Sequence, residues 1–401
     1  MKTYPTRPFP VKDRWCVHSY YTVCPYAPDG SGYILAAGAD LERGTGEVLV
    51  LSPDGEVLDR FGEHPLHGGF YHTGWWQTWS PDARYVYYQA GSLKEPRIGR
   101  RDLSTGTDIF VEGDMEGAPP TGEPIISGLL GMLYAAGYGD RRYKPEAAPV
   151  PFQARDRHGI FEYGLDPPGQ RLRLSVAEIF RHNIDRARIQ ASDEEIKRHL
   201  GPDDGLTLMA YCVRWSPDGS RFLFNFGNHC VVKDRNEPRI AQVITTDREM
   251  KTFHTALDLG YGKRGVHWSW QPDNEHLIGY AEHPEDPSRR CLAEVRYDGS
   301  GWRMISEHGS GGHPSVSPTD PDLIVTDEEA PGGGAVVFIS KRSGEIIGRV
   351  PLPKYIGSSE PPGRNPLRVC HHPVFNSDGK RVLCNSLPGK YSTLIEITVH
   401  S

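Results

Sequence analysis

The sequence predicts an all-β chain folded as a seven-bladed β-propeller, and three observations carry that expectation. A hairpin motif recurs along the 401 residues, 45 Gly and 34 Pro punctuate short apolar runs, and long helical periodicity is missing. The motif is an apolar strand, a turn like Ser-Pro-Asp-Gly, then a second apolar strand. It stands at 26–38, 79–91, 215–227, 270–282 and 375–386, and with one extra turn residue at 316–328. Proline presets φ at the first turn position and Asp-Gly completes the reversal, so each copy reads as a two-strand hairpin.

Further strands follow most hairpins, as at 46–62 and 335–350, and four strands at this spacing make a blade. Residues 113–180 lack the turn but keep strand-like runs at 131–139 and 159–174, and read as a degenerate third blade. Seven four-stranded blades are thus expected within 16–400, in one domain over 1–401, with 1–15 packing on the last blade to help close the ring. Residues 181–204 read as a short helical insertion. Ser192 followed by Asp193, Glu194 and Glu195 predicts a capping box there, with the helix ending near Gly201.

A net charge of −7 without a basic cluster argues against a nucleic-acid partner. No run of about 18 apolar residues suggests a membrane span. The N-terminal segment lacks the apolar core of a secretory signal. Seven scattered cysteines form no C-x-x-C pair and read as reduced thiols of a cytoplasmic protein.

The strand entering each turn is the innermost of its blade, so counting back from the turn proline compares residues at equal depth. Five residues before Pro272 and Pro318 stand His267 and His313; five before Ser377, in the proline place of the last hairpin, stands His372. His371 is its neighbour and Arg368 lies upstream. Three imidazoles at one height are either a transition-metal site or a polar ring bonded to channel water. Val23, Trp76 and Cys212 hold the matching place in other blades. His18, His72, His229, His283, Arg157, His158 and the run Asp327–Glu329 are expected at the same mouth, with Tyr211 and Arg214 flanking Cys212. Trp76, in the run 75–79, either stacks a sugar ring or packs a blade.

The segments GVHWSWQPDNEHLIGY (265–280) and RVCHHPVFNSDGKRVLCNS (368–386) resemble the oligogalacturonate lyase family, cytoplasmic TolB-like propellers that cleave short uronate oligosaccharides. His267 matches one of its metal-ligand histidines. His372 matches the second of an H-x-H pair, Cys370 stands at the first, and Leu367 replaces the family's glutamine, so His313 or His371 is the expected substitute. The family's proposed base falls on Cys212, and its helper arginine near Arg157. The resemblance implies a divalent metal, Mn²⁺, held by His267, His313, His371 and His372, and β-elimination on a uronate-containing oligosaccharide. In that reading Arg157 neutralises the carboxylate and His72, Tyr211 and His229 are the candidate bases, while Arg214, Arg368 and Trp76 contact the sugar. The alternative enzyme is a metal-lined propeller performing other sugar chemistry, hydrolysis or epimerisation; hydrolysis would need paired carboxyl groups, for which 327–329 is the candidate cluster, or a histidine acid. A non-catalytic binding propeller is the third possibility.

Overall fold

The computed structural model describes residues 2–399 apart from 10, 12–13, 67–69, 93–94, 129–154, 229–236, 331–332, 354–368 and 388–390. Seven antiparallel sheets follow one another as the blades of a propeller, each running outward in chain order except the last, whose outer strand is the first of the chain. Their innermost strands are Trp15–Val17, Thr78–Trp79, Ile125–Gly128, Met209–Trp215, Gly265–Trp270, Ser315–Val316 and Val374–Phe375. The second strands are covered on both faces by neighbouring blades, which is why they read as apolar runs: Ile34–Asp40 is buried at all but its last residue. Outer strands such as Val57–Pro65 alternate between core and solvent.

Six sheets have four strands; the third has three among the described residues, Ile125–Gly128, Gly159–Leu165 and Pro168–Ser175. The strand-like run at 131–139 lies outside the described residues. Ring closure uses both ends of the chain, as expected. Thr6–Phe9 adds to Thr393–Thr398 as the outer strand of the last blade, pairing Thr6 with Ile397 and Phe9 with Leu394.

The helical insertion is longer than the sequence suggests. Two helices, Val176–His182 and Arg186–Leu200, follow the third sheet. The capping box is at Ser175 and Glu178, where the serine hydroxyl accepts the Glu178 amide and the glutamate accepts the Ser175 amide at 2.8 Å. Ser192 lies inside the second helix and donates back to the Arg188 carbonyl at 3.2 Å. Asp193 is turned inward to hold Arg155 at 2.7 Å, so neither residue is free to cap. Buried Ile189 and Ile196 dock the helix and carry it back to Arg186. The expected end at Gly201 holds.

Closure by Thr6–Phe9 makes a direct prediction. Phe9 is 1% exposed, packed among Tyr26, Leu49 and Leu383. Phe9→Ala is expected to destabilise the chain by about 3–5 kcal/mol, read from the shift in the urea unfolding midpoint. A change under about 1 kcal/mol would mean that the terminal strand does not lock the ring.

Candidate active site at the channel mouth

The inner strands aim their side chains by a backbone device. Trp76, Cys212, His267 and His372, all five residues before the turn, have φ of 53°, 57°, 60° and 47°. Left-handed backbone at a non-glycine residue costs roughly 1–3 kcal/mol and persists only where the surroundings enforce it. In two blades the ladder skips there. Tyr211 pairs with Asn225 and Arg214 with Leu223; Val266 pairs with Tyr280 and Ser269 with Ile278. Such a bulge redirects the residue it contains. It also takes two amides out of the ladder at Cys212 and Val213, and the buried Glu116 carboxyl accepts both, each at 2.8 Å. Burial pushes that carboxyl up to about 7, against the pull of these amides and of Arg214.

The three histidines at matched offset converge. The rings of His267 and His313 are 4.1 Å apart, as are those of His313 and His372. Hydrogen bonding fixes their tautomers. His267 Nδ1 lies 2.9 Å from the carbonyls of Gly311 and Gly312, which only accept, so Nδ1 carries the hydrogen and Nε2 is left with a lone pair. His313 Nδ1 donates in the same way to Asp327 at 3.0 Å. Burial works to raise the Asp327 carboxyl, but His313 beside it outweighs that and holds it well below the usual carboxylate range. His313 Nε2 faces His372 Nε2 at 3.2 Å. With a lone pair on His313 Nε2, His372 Nε2 carries the hydrogen and donates in this contact. Burial, then repulsion from the neighbouring His313, pushes His267 and His372 well down, so both imidazoles are neutral at pH 7. Burial likewise takes His18 down to about 4.

The centre of the mouth is filled by the first blade. Val17 pairs with Ala37 and Tyr26 bridges Ile34, so the inner strand spends the intervening 18–25 as a loop against a three-residue step on its partner. This loop delivers Tyr20 and Tyr21. The Tyr20 ring lies 5.4 Å from His72 and Trp76, 5.7 Å from His313 and 4.8 Å from His372, touching three other blades at once. Arg214 reaches it from a fourth, donating to Tyr21 Oη at 3.1 Å, to Tyr20 Oη at 3.3 Å and to the Trp268 carbonyl. Tyr20, His72, Tyr211, Cys212, Arg214 and His267 line a cavity of about 150 Å³.

Other residues fare differently. His72 sits on the helical turn Phe70–Thr73 and Tyr211 on the inner strand of the fourth blade, both on the cavity as expected. Trp76 is 4% exposed among Tyr20, Val23 and Met115, so the packing alternative holds and no ring face is offered to a sugar. Arg157 has a side chain 74% exposed, beside Asp156 at 3.9 Å, and the buried cation on the cavity is Arg214. His371 lies apart from the three converging histidines: its Nδ1 donates to the Asn385 carbonyl at 2.7 Å and its Nε2 abuts Gly334. His229 and Arg368 lie outside the described residues. The run Asp327–Glu329 does not offer paired carboxyl groups, since Asp327 is committed to His313 and Glu328 to Arg349 at 2.7 Å.

Among the described residues, His72, Cys370 and His372 form a set of three donors with ligand atoms all within 4.8 Å of one another. A tetrahedral ion with bonds of about 2.0–2.3 Å holds its ligand atoms about 3.3–3.8 Å apart, so slight closure suffices. His313 Nε2 lies beside this set, 3.2 Å from His372 Nε2. The set fits a cation. Cys370 enters as a donor in its own right, where the sequence marked only a lost histidine.

No protein-family model matches the sequence, and no curated protein does. Among solved structures, an oligogalacturonate lyase in complex with manganese aligns over 100% of this chain and 96% of its own, with TM-score 0.65 and 15% identity. The oligogalacturonate lyase of Vibrio parahaemolyticus aligns over 100% and 98%, with TM-score 0.62 and 14% identity. A prolyl endopeptidase matches at TM-score 0.51 and 10% identity, 97% of this chain covering 50% of that one. The chain is therefore a seven-bladed propeller structurally similar to oligogalacturonate lyases, a likeness of fold at these identities.

Glu116 gives a testable pH dependence. A carboxyl at about 7 in the fold and near 4.3 when unfolded binds more protons folded than unfolded across that window. Its contribution to stability is therefore present below about pH 4.3 and is lost as pH rises to about 7. Wild type is expected to lose stability relative to Glu116→Gln over that range, measured by urea midpoints at each pH. A constant difference would mean that the carboxyl does not titrate there.

Proposed function

We propose that this propeller is a lyase cleaving a uronate-containing oligosaccharide by β-elimination, assisted by a divalent transition-metal cation. One observation carries the reading: two imidazoles, two phenols and a buried guanidinium face one small cavity at the channel mouth. Arg214 bonds to neutral oxygens of the protein, which suits it to the carboxylate of an acidic sugar. His72, Cys370 and His372, with His313 beside them, would hold the cation. The fold likeness points to Mn²⁺, but a thiol among imidazoles suits a softer ion such as Zn²⁺. When bound, it would draw electron density from the uronate carboxylate and make the C5 proton more acidic.

The chain's own groups then divide the work. Arg214 orients the carboxylate and offsets the charge that develops on it. His267, whose Nε2 is an acceptor by virtue of the two carbonyls on Nδ1, takes the C5 proton. Tyr211 closes the same cavity. The six described cysteines are all unbridged, in keeping with a reducing, cytoplasmic setting. No described helix is long and apolar enough to cross a membrane.

Elemental analysis of the purified protein is expected to find about one transition-metal ion per chain, with zinc favoured over manganese. Incubation with oligogalacturonides should give a 4,5-unsaturated uronate with its conjugated ultraviolet absorbance, and a chelator should abolish it. Saturated, hydrated products, or full activity without metal, would overturn the reading. His372→Ala and Cys370→Ser should each lose the ion and retain a cooperative thermal transition. Arg214→Lys keeps the charge but not the planar fork, and is expected to lower kcat/KM roughly 10²-fold. An unchanged kcat/KM would remove Arg214 from carboxylate binding.

A further inference from the structure

An elimination needs a proton donor as well as an acceptor, because the glycosidic oxygen leaves poorly as an alkoxide. We infer that Tyr20 is that donor and that Arg214 is the residue positioning it. The inference rests on the β-elimination proposed above.

The argument is one of hydrogen-bond direction. A guanidinium has donors and no acceptor. In the 3.3 Å contact between Arg214 Nη2 and Tyr20 Oη, the arginine must therefore donate and the phenol oxygen accept. The phenol hydrogen is left over, and among the described residues no protein acceptor takes it. Tyr21 differs. Its oxygen meets Arg214 Nη1 at 3.1 Å and also the Ser269 hydroxyl, and its side chain does not line the cavity. Tyr20 does. Its ring is wedged against His72, His372 and Trp76, which leaves the hydroxyl little freedom to swing elsewhere. The O–H is thus left without a protein acceptor, cation-bound at its oxygen, on a residue that lines the cavity.

The step balances without any other reactant. The C5 proton passes to His267 Nε2, and its electron pair becomes the C4=C5 double bond as the C4–O4 bond breaks. The departing oxygen takes the Tyr20 hydrogen. The phenolate that remains lies against the Arg214 cation until a proton returns from water, while His267 gives up the proton it gained. Donor and acceptor are separate residues on one cavity, so neither has to act twice in a turnover.

The test compares two leaving groups in metal-loaded protein. Tyr20→Phe keeps the ring and its packing. On oligogalacturonide it is expected to lower kcat by roughly 10²–10⁴-fold with KM little changed, the usual worth of a positioned proton donor. On a uronate carrying 4-nitrophenoxide at C4, which leaves without protonation, kcat should fall by less than about tenfold. Calorimetric binding of the unsaturated product should be unaltered. Equal losses on both substrates would make Tyr20 structural, and no loss on the oligosaccharide would exclude it as donor. If Tyr20→Phe fails to fold, wild type decides: rates across a series of C4 phenoxides should depend only weakly on leaving-group pKa, and a steep dependence would overturn the inference. Wild type that forms unsaturated product from neither substrate would bring down the lyase reading itself, and the donor assignment with it.

Discussion

The site depends on a left-handed backbone residue placed five positions before the turn. At Trp76, Cys212, His267 and His372 the inner strand accepts an unfavourable φ. What offsets the strain is the packing on either side of it. Next to His267, Trp268 is buried, with its ring against the face of Gly279, where a Cβ would come within 2.5 Å of it, and its Nε1 donates to the Tyr280 carbonyl. Next to Cys212, Val213 is buried and both amides are claimed by Glu116. One residue thus turns to the cavity because its neighbour is fixed in the core. Rigid blades make the aim precise, and a loop would not.

Charge at the mouth follows from the same burial. An imidazolium is costly to desolvate, so the buried histidines are driven toward the neutral form that can accept a proton or bind a cation. A guanidinium does not yield in this way. Burial opposes the charge of Arg214, but the phenols beside it favour that charge and it stays a cation. Glu116 lies near enough to offset part of it. The cavity therefore presents acceptors together with fixed positive charge, the buried Arg214 and, at its lining, Arg239, a combination that suits the acidic sugar proposed above.

Much of the fold was legible in the sequence because the Pro-Asp-Gly turns fix both the hairpins and their register. Counting back from them found His267, His313 and His372, and with them the depth of the site. Tyr20 and Tyr21 were beyond that method. They sit in the 18–25 loop, where the inner strand breaks off and no period relates a residue to the axis. Glu116 was invisible for another reason, since it recognises backbone amides and leaves no complementary side chain to find. Arg157 was chosen over Arg214 by resemblance. What separates them is burial, which depends on the bulge at Cys212 and not on spacing from the turn. The misplaced capping box at Ser192 shows local propensity yielding to the docking of Ile189 and Ile196.

Two cysteines mark where this chain departs from the lyases it resembles, and the geometry relates them. Cys370 stands where a metal-binding histidine is expected, and Cys212 where the base is expected. The first change keeps a donor in place, because a thiol beside His72 and His372 can ligate as an imidazole would. With His72 drawn into that group, His267 is not required to complete it. The second change removes an imidazole from the fourth blade at the depth occupied by His267 in the fifth. Both positions line the same cavity, and both are aimed by the same left-handed turn. His267, with its Nδ1 tied to two carbonyls and its Nε2 open, can therefore serve the volume that a histidine at 212 would have served. On the proposed reading the two departures form one rearrangement, in which His72 enters the ligand set and the base moves one blade on, from the fourth to the fifth.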